Sequence, residues 1–399
     1  DAAYFTINAA TGVLNFVAPP NFEAPLDSDG NNVYQVVVVA NDGMGGLTTQ
    51  TLNVSVTNIN EAPVITSNGG GASAAFSLAE NNITATNIIA SDPDAGATLT
   101  YSIIGGADAG LFTINAATGQ LTFNATPNFE TPGDAGANNI YDVIVQVSDG
   151  VLSDAQTLAI TITNANETPV ITSNGAGPTA FLTISENTSA VTTVTATDVD
   201  AATTITYSIA GGADASRFTI NATTGVLTFT SAPDFETPTD SNADNLYDVT
   251  VQASDGVGGI DTQTITVAVT NTNEAPVITS NGGGATASII TSENAATVTN
   301  VVVNDPDAGA VAIFSIIGGV DAALFTINPT TGVLSFVTTP NFEAPADSNS
   351  DNVYDVVVRV SDGLGGTDTQ SISVAVTNVN EAPVLTSNGG GATSSISIA

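Results

Sequence analysis

The sequence predicts an all-β chain, a tandem array of seven-stranded β-sandwich domains, and two observations predict it. The first is an internal repeat, in which a Phe-Glu pair preceded by Asn or Asp recurs at steps of 107, 106 and 107 residues, at Glu23, Glu130, Glu236 and Glu343. A period of this size corresponds to one sandwich domain of about 100 residues. The second is local: short β-branched or alternating runs are separated by clusters of Gly, Asn, Asp and Pro, and no helical period exceeds one turn.

Within one period, the stretch from Pro63 to Pro169 shows the pattern in full. Strands alternate with turn residues at the spacing of about 8 to 12 residues that is typical of an all-β sandwich. The seven expected strands run over residues 74–80, 84–90, 99–104, 112–115, 120–124, 140–147 and 157–163.

Apolar residues alternate in register along these strands, and alternation places side chains on one face of a sheet. We therefore expect one inner face to be lined by Phe112, Ile114, Leu121, Phe123, Tyr141, Val143 and Val145. Their counterparts in the first segment are Phe5, Ile7, Leu14, Phe16 and Tyr34. Between the last two strands, Gly supplies the positive φ of a tight turn, which is predicted at the Asp-Gly pairs that begin at Asp42, Asp149, Asp255 and Asp362.

The predicted domain boundaries follow a second recurring motif, Asn-Glu-x-Pro, whose glutamates are Glu61, Glu167, Glu274 and Glu381. The boundaries give a partial domain at 1–61, whole repeats at 62–167, 168–274 and 275–381, and an N-terminal stub of the next repeat at 382–399. Asp1 aligns with Asp108, Asp214 and Asp321. We therefore expect both ends of the sequence to cut through a domain.

Composition excludes several classes of function. The chain has 39 acidic residues and two basic ones, Arg217 and Arg359, so its formal charge is -37. A protein surface needs Lys and Arg to bind nucleic acid or an anionic membrane. We therefore expect neither as a partner. No stretch approaches the roughly 18 to 20 apolar residues of a spanning helix. Lysine, histidine and cysteine are absent, which removes the commonest catalytic bases and nucleophiles, so we do not expect an enzyme.

Several ordered motifs carry a family resemblance. Phe112-Thr-Ile-Asn, Thr118-Gly119-x-Leu121, Asn128-Phe129-Glu130, Ser148-Asp149-Gly150 and Asn164-x-Asn166-Glu167-x-Pro169 together resemble a cadherin repeat. The pattern recurs along essentially the whole chain and is similar to the cadherin-like repeats of large bacterial calcium-binding surface adhesins. The resemblance implies Greek-key, immunoglobulin-like sandwiches with calcium bound at each junction between domains.

The resemblance also implies a ligand set from three parts of the sequence. The base of each domain contributes Glu80, Glu186 and Glu293. The Asp-x-Glu motif corresponds to Asn128 with Glu130, Asp234 with Glu236, Asn341 with Glu343, and Glu23 in the first segment. The linkers contribute Glu61, Asn164, Asn166, Glu167, Asn271, Asn273, Glu274, Asn378, Asn380 and Glu381. The next domain offers Asp92, Asp94, Asp198, Asp200, Asp305 and Asp307, and its turn offers Asp149, Asp255 and Asp362.

Calcium suits this set because it takes six to eight oxygen ligands, many of them carboxylates. Zinc is disfavoured because the chain has neither His nor Cys. The family has Asp at the position of Asn164 and at the position of Glu167, and the Asp of Asp-x-Glu survives only at Asp234. The resemblance implies three calcium ions at each junction, and these departures weaken or remove one of them. We therefore expect two to three calcium ions per junction. Each motif taken alone is also an ordinary turn or a polar linker, since Asp and Asn form Asx turns.

A second candidate cation loop alternates acids with amides, as a calcium loop begins. It comprises Asp27, Asp29 and Asn31 in the first segment, Asp240, Asn242 and Asp244, and Asp347, Asn349 and Asp351. The equivalent stretch at Asp134 keeps a single acid, and a solvated loop is the alternative interpretation.

The expected function is a calcium-rigidified extracellular stalk or filament, a segment of a larger secreted or cell-surface protein. The alternatives are a direct adhesion module, homophilic or ligand-binding, and a component of a surface sheath or lattice. The expected partners are neighbouring repeats of the same chain and, in a filament or adhesive contact, identical chains.

Overall fold

The computed structural model describes residues 1–201, 203–387, 392, 393, 395 and 397, and within them the chain is all-β apart from single 3₁₀ turns. Two compact units are formed. The first comprises Asp1–Thr168, Asp198–Thr204 and Val257–Gly259, and the second comprises Pro169–Thr197, Ile205–Gly256 and Ile260–Ala399. The predicted fold class is confirmed. Of the predicted stub at 382–399, residues 388–391, 394, 396, 398 and 399 lie outside the described residues.

The strands recur in the same order in each repeat. The first segment contains β1 (Phe5–Ile7), β2 (Leu14–Phe16), β3 (Val33–Asn41) and β4 (Leu47–Ser55). The second repeat contains β5 (Val64–Ile65), β6 (Ser73–Ala79), β7 (Thr84–Asn87), β8 (Ala90–Ser91), β9 (Thr100–Gly105), β10 (Phe112–Ile114), β11 (Gln120–Phe123), β12 (Ile140–Ser148) and β13 (Ser153–Thr163). The third contains β14 (Val170–Ile171), β15 (Thr179–Ser185), β16 (Ala190–Thr193), β17 (Ala196–Thr197), β18 (Thr206–Gly211), β19 (Phe218–Ile220), β20 (Val226–Phe229), β21 (Leu246–Ser254) and β22 (Ile260–Thr270). The fourth contains β23 (Val277–Ile278), β24 (Thr286–Ser292), β25 (Thr297–Asn300), β26 (Val303–Asn304), β27 (Ile313–Gly318), β28 (Phe325–Ile327), β29 (Val333–Phe336), β30 (Val353–Ser361) and β31 (Thr367–Thr377). The 3₁₀ turns are Ala2–Tyr4, Ala109–Leu111, Ala215–Arg217 and Ala322–Leu324.

Each whole repeat is a sandwich of two sheets. In the second repeat, a four-stranded sheet has the order β6-β13-β12-β9 and a three-stranded sheet has the order β10-β11-β7, while β5 pairs with β8. Strand β6 runs parallel to β13, and the other pairs are antiparallel. The third and fourth repeats have the same order. All seven strands predicted for the second repeat are present, and the run predicted at 84–90 is divided into β7 and β8.

The core lies between the two sheets. Phe112, Leu121, Phe123, Tyr141 and Val143 are buried together, as expected. The prediction that the alternating residues line one inner face is wrong, however, because β10 and β11 belong to the three-stranded sheet and β12 to the four-stranded sheet. The alternation in register is a property of each strand, so it fixes which side chains point inward but not which sheet carries them.

The hairpins between the last two strands of each repeat follow the predicted Asp-Gly turns. Gly43, Gly150, Gly256 and Gly363 all have positive φ, between 75° and 102°, which glycine adopts without a steric penalty. Among the residues that the structure describes, no helix combines the length and the apolar character needed to cross a bilayer.

Candidate metal centres at the linkers

The linkers follow directly after the last strand of each repeat and end at a proline. Strand β13 ends at Thr163, and the Asn-x-Asn-Glu stretch then runs without regular structure to Pro169. The residue before a proline is restricted to extended backbone, so the last residue of the linker is kept extended where it enters the next repeat. Four groups of carboxylates gather at these linkers. We call them linker site 1 (Glu23, Glu61, Asp92, Asp94), linker site 2 (Glu80, Glu130, Glu167, Asp198, Asp200), linker site 3 (Glu186, Glu236, Glu274, Asp305, Asp307) and linker site 4 (Glu293, Glu343, Glu381).

A buried glutamate anchors each of sites 2, 3 and 4. Glu80, Glu186 and Glu293 are only 2% exposed, and each follows a strand that ends one residue earlier. The Glu186 carboxylate accepts hydrogen bonds from the backbone N–H of Phe235 at 2.8 Å and of Thr272 at 2.7 Å. Each such glutamate therefore ties the Phe-Glu loop of its own repeat to the linker.

The same bonds affect the charge of the anchor. In site 4 the backbone N–H groups of Phe342 and Val379 donate to Glu293, and they hold the pKa of Glu293 below its ordinary value. Hydrogen bonds to the ionised form stabilise it, so this carboxylate stays charged.

Two further carboxylates face the anchor at each of these sites. Carboxylate oxygens of Glu186, Glu236 and Glu274 lie within 4.8 Å of one another. The same holds for Glu80, Glu130 and Glu167 in site 2, for Glu293, Glu343 and Glu381 in site 4, and for Glu23, Glu61 and Asp94 in site 1. Two like charges at about 4 Å repel by about 1 kcal/mol in water and by about 4 kcal/mol near a protein surface. The two arginines of the chain lie elsewhere, at the end of a 3₁₀ turn and within β30.

Burial and this repulsion raise the pKa of several of these glutamates. Removal from solvent is the first cause for Glu236, and the charges of Glu186, Glu274 and Asp307 follow. Burial, with the charges of Glu80 and Asp200, also raises the pKa of Glu130. Glu167 and Glu61 have a raised pKa for the same two reasons. Without a cation, sites 1 to 3 therefore keep their negative charge at a cost in free energy.

The Asp-x-Asp pair attaches to the linker from the other side. The second aspartate of each pair accepts the backbone N–H of the linker glutamate, from Glu61 to Asp94 at 2.9 Å, from Glu167 to Asp200 at 2.9 Å and from Glu274 to Asp307 at 2.7 Å. The first aspartate accepts the N–H of the second through Oδ1, which is an Asx turn. The pair is thereby fixed against the linker before any ligand is considered.

The turn aspartates join the linker amides. Asn60 donates to Asp149 at 2.6 Å, and Asn273 donates to Asp362 at 2.7 Å. Backbone N–H groups of the turn, first that of Val151, hold the pKa of Asp149 below its ordinary value, and the Asn273 amide does the same for Asp362. Asp255, in the equivalent turn of the third repeat, is buried.

Unpartnered oxygens test whether these residues fit a cation. Buried carboxylate oxygens normally have a hydrogen-bond partner, yet a set of them has none among the described residues. In sites 1 to 3 this set comprises Oε1 of Glu23, Oδ2 of Asp92, Oε2 of Glu130, Oε2 of Glu167, Oδ2 of Asp198, Oε2 of Glu236, Oε2 of Glu274 and Oδ2 of Asp305. Anionic oxygens that are shielded from water and have no donor fit a hard divalent cation.

Not every predicted ligand lies in these groups. Asp234 is exposed, and its carboxylate accepts the N–H of Thr237, so it caps a turn. Asn128 and Asn341 cap the equivalent turns of their repeats through Thr131 and Ala344. In the second candidate loop, Asp240 is buried and its carboxylate accepts backbone N–H groups of Asp244 and Asn245, so this acid closes its own loop by hydrogen bonds. Asn378 does reach its site, where it donates to Glu343, and Asn380 lies in the same exposed linker.

The structure adds residues that the sequence reasoning missed. The asparagine after each anchor glutamate donates to the linker glutamate, from Asn81 to Glu167 at 3.0 Å, from Asn187 to Glu274 at 2.6 Å and from Asn294 to Glu381 at 3.0 Å. All three have φ near +60°, a conformation that Asn tolerates better than most residues. The recurring Glu-Asn pair was the available signal.

A second set that was missed consists of buried aspartates away from the linkers. Asp214 is 4% exposed, and its carboxylate accepts the N–H groups of Ser241 at 2.7 Å and Asp248 at 2.9 Å. Asp108 and Asp321 make the same bonds in their repeats. These acids bind backbone, so the large acidic count is not explained by cation sites alone.

Comparisons with known proteins agree with the repeat. Residues 181–270 match the family model described as Cadherin domain, and residues 60–161 match the model described as Bacterial Ig domain. Human Protocadherin Fat 1 is 31% identical over 353 residues, which is 82% of this chain and 7% of that protein. Cadherin-20 of Xenopus laevis is 27% identical over 69% of this chain and 36% of that protein. The chain thus spans a minor part of these relatives.

Solved structures are also similar. Mouse cadherin-23 repeats EC22–24 are 20% identical, with 80% of this chain and all of that chain covered and a TM-score of 0.45. The extracellular cadherin domains 1–5 of protocadherin gamma B2 are 19% identical, with 94% and 72% covered and a TM-score of 0.49.

The two matched family segments fall on successive copies of one sequence unit, with the same motifs and the same strand order. The relatives named above extend the likeness over most of the chain. The chain is a tandem array of cadherin-like repeats.

Proposed function

We propose that this chain is a segment of an extracellular stalk in which calcium ions at the linker sites stiffen the connection from one repeat to the next. The observation that carries the proposal is the set of buried, unpartnered carboxylate oxygens around the linkers. Calcium is the cation of choice because every available ligand is an oxygen, and His and Cys are absent from the sequence. Extracellular modules bind calcium at about 0.1 to 1 mM, so a location outside the cell or on its surface suits such sites.

The contacts indicate how a cation would act. At site 3, the linker glutamate Glu274 faces Glu186 and Glu236 on one side and donates its N–H to Asp307 on the other. A cation at the unpartnered oxygens of Glu236 and Glu274 would replace repulsion by attraction, so the linker would keep one conformation. Binding to the folded form alone stabilises it by about 2.7 kcal/mol when the ligand concentration is about one hundred times its Kd.

We do not propose catalysis. The residue types that most often act as base or nucleophile, His, Cys and Lys, are absent from the sequence. Paired carboxylates can hydrolyse glycosides, but here the carboxylate group recurs in near-identical form at successive linkers. A repeated structural role accounts for that recurrence, and the roles of the ligand residues are part of this proposal.

The stalk is tested by small-angle scattering of the chain in calcium and in chelator. We expect the maximum dimension and the scattering profile to change on chelation, because the linkers lose their cations while the sandwich cores remain folded. A Glu236→Gln, Glu274→Gln variant should reduce the calcium-dependent change, and its circular dichroism should match that of the wild-type sandwiches. Superimposable profiles with and without calcium would refute the stiffening role.

A direct adhesion module is the second candidate, and one residue favours it. Phe181 is 65% exposed and lies on β15, an outer strand of its four-stranded sheet. The equivalent positions of the second and fourth repeats are Ala75 and Ser288, so this aromatic breaks the symmetry between repeats. Exposed aromatic side chains are common at the centres of interfaces.

Sedimentation of the wild type and of a Phe181→Ser variant tests the alternative. Adhesion between identical chains through this strand predicts calcium-dependent oligomers that the substitution abolishes. The control is Val337→Ser, at an exposed apolar position outside the linker sites. If both proteins are monomeric at all concentrations, adhesion between identical chains through this strand is excluded.

A further inference from the structure

An Asn-Gly pair recurs in the loop between the first two strands of each whole repeat. The pairs begin at Asn68, Asn174 and Asn281, and a further pair begins at Asn388, which lies outside the described residues. Asparagine is a thermolabile residue, and a following glycine has no Cβ to hinder attack by its own nitrogen on the asparagine side chain. The same loop of every whole repeat therefore carries a chemically labile pair.

The backbone of the loop accounts for both members of the pair. The three asparagines have φ between 53° and 55°, and the glycines that follow them have φ between 84° and 88°. Asparagine tolerates positive φ better than most residues, and glycine adopts it without a steric penalty. The loop geometry thus favours Asn-Gly, although other residue pairs would be chemically more durable.

Deamidation of such a pair requires only water. At Asn174, the backbone nitrogen of Gly175 would lose its proton to solvent and bond to Cγ, while the C–N bond of the side-chain amide breaks and ammonia leaves. Water then opens the cyclic imide to aspartate or isoaspartate, and isoaspartate adds a methylene group to the main chain. The side chain must rotate onto the glycine nitrogen before the first bond can form.

Both ends of each asparagine amide are held by hydrogen bonds, in what we call the Thr–Asn–Gln clamp. In the third repeat, Oγ1 of Thr192 donates to Oδ1 of Asn174 at 2.9 Å, and Nδ2 of Asn174 donates to Oε1 of Gln263 at 3.0 Å. The same two bonds recur at 3.1 Å and 3.3 Å in the second repeat, through Thr86, Asn68 and Gln156, and at 2.9 Å and 3.1 Å in the fourth, through Thr299, Asn281 and Gln370.

The glutamine of the clamp cannot follow a rotating asparagine. Gln263 is 0% exposed, and its Nε2 atom donates to the backbone carbonyls of Ser173 at 3.3 Å and Gly177 at 2.9 Å. Carbonyl oxygens only accept hydrogen bonds, so the NH₂ group of Gln263 must face them and Oε1 must face Asn174. Rotation of Asn174 would leave this buried oxygen without a donor, which is unfavourable.

We infer that Asn68, Asn174 and Asn281 are latent deamidation sites, which the Thr–Asn–Gln clamp keeps intact while the repeat is folded. The threonine and the glutamine are positioning residues, because they restrict the rotation of the amide and take no part in the bond changes. A repeat that opens releases its clamp, so the modification marks chains that have unfolded. The mark persists, because a carboxylate has no N–H to donate to the buried glutamine.

Peptide mapping by mass spectrometry of the whole folded chain, aged at mildly alkaline pH, tests the clamp. Thr192→Val keeps the branched shape and removes the hydroxyl, so Asn174 should deamidate about fivefold faster, the factor for one ordinary hydrogen bond. Thr192→Ser restores the hydroxyl and should return the rate to that of the wild type. Asn68 and Asn281 serve as references within the same chain, and their rates should not change.

The matched control is Val194→Ala, which weakens the core of the same repeat, since Val194 is 0% exposed, and leaves the clamp intact. It should leave the rate at Asn174 unchanged, whereas urea should expose all three pairs of the wild type to rapid deamidation. Equal acceleration by Val194→Ala and Thr192→Val would overturn the inference, because protection would then come from overall stability. An unchanged or slower rate in Thr192→Val would overturn it as well.

Discussion

Carboxylates of the same type have different roles at one linker, and Glu186 and Glu236 show the contrast. Glu186 is buried and accepts two backbone N–H groups, so its carboxylate is fixed in place by the fold. Glu236 has an unpartnered oxygen and a raised pKa, caused first by burial and then by the neighbouring acids. The first residue organises the site, whereas the second offers the oxygen to which the proposed calcium ion would bind.

Substitution by glutamine separates these roles. Glu186→Gln turns one acceptor into a donor that faces a backbone N–H, so we expect a loss of about 1 to 3 kcal/mol in the free energy of unfolding, with or without calcium. Glu236→Gln removes a repelled charge, so it should stabilise the chain in chelator and weaken calcium binding. Urea unfolding in calcium and in chelator measures both effects. Equal behaviour of the two variants would contradict the division of roles.

The raised pKa of Glu236 also predicts how binding depends on pH. The metal-free folded state holds a proton on this group more tightly than the unfolded chain does. Its stability in chelator should therefore increase as the pH falls through the raised pKa and decrease as the pH rises through it. Protons and calcium compete for the same oxygens, so calcium affinity should fall as the pH is lowered from about 7 to about 5.

Calorimetric titration at several pH values checks this dependence. The Glu236→Gln variant lacks the titrating group at site 3, and its affinity should vary less with pH. An affinity for calcium that increases on acidification would be inconsistent with carboxylate ligands.

At the scale of the strands, a second group of acids stabilises the sandwich without any cation. The Asp214 carboxylate joins the N–H of Ser241, in the loop before β21, to the N–H of Asp248 within β21. The loop and the strand are thereby fixed together next to the buried ring of Tyr247. Because Asp108 and Asp321 repeat the arrangement, it belongs to the repeat itself.

Replacement of this aspartate should destabilise one repeat and spare the linker sites. In Asp214→Ala two buried N–H groups lose their acceptor, which costs about 1 to 3 kcal/mol for each group left unsatisfied. Hydrogen exchange should show faster opening in the third repeat alone, since repeats of an array couple only to their neighbours. The calcium count from native mass spectrometry should equal that of the wild type, and a reduced count would mean that Asp214 acts as a ligand.

Much of the strand pattern was predictable from local signals. The alternation at Tyr141 and Val143 and the turn residues at Asp149 and Gly150 determine strand and turn within a few residues, and both predictions are confirmed. The strands of two residues, such as β5, are too short to show a period. The division of inner residues between two sheets depends on pairing across the repeat, as between Leu78 and Ile162, which no local pattern records.

The linker sites were predictable in kind but not in detail. The resemblance to a cadherin repeat implied that carboxylates such as Glu130 and Glu167 would gather at the linkers, and they do. Which oxygens have donors is decided by atoms distant in the sequence, for example the Asn81 amide that reaches Glu167. Asp108 is a second example. In the sequence it resembles an ordinary turn aspartate, and only the structure shows that it accepts two backbone N–H groups.

For the whole molecule, the formal charge of -37 is distributed over ordered sandwiches. The chain has no disulfides, since cysteine is absent, and no lysine to form a covalent link with Asn or Asp. Strand hydrogen bonds, core packing and, under the proposed function, bound calcium are therefore the available sources of stability. The stability of the repeats should therefore depend steeply on calcium, because calcium binding is the contribution to stability that varies with the free calcium concentration.

Thermal unfolding followed by calorimetry at defined free calcium tests this account most directly. The melting temperature should rise with calcium and level off once the linker sites are filled, with sites of about 0.1 to 1 mM affinity setting the midpoint. Magnesium at the same concentration should raise it less, because magnesium prefers rigid octahedral sites and retains its water. A melting temperature that is the same from about 1 µM to about 10 mM calcium would contradict the account, since the carboxylates at the linkers would then not be metal ligands.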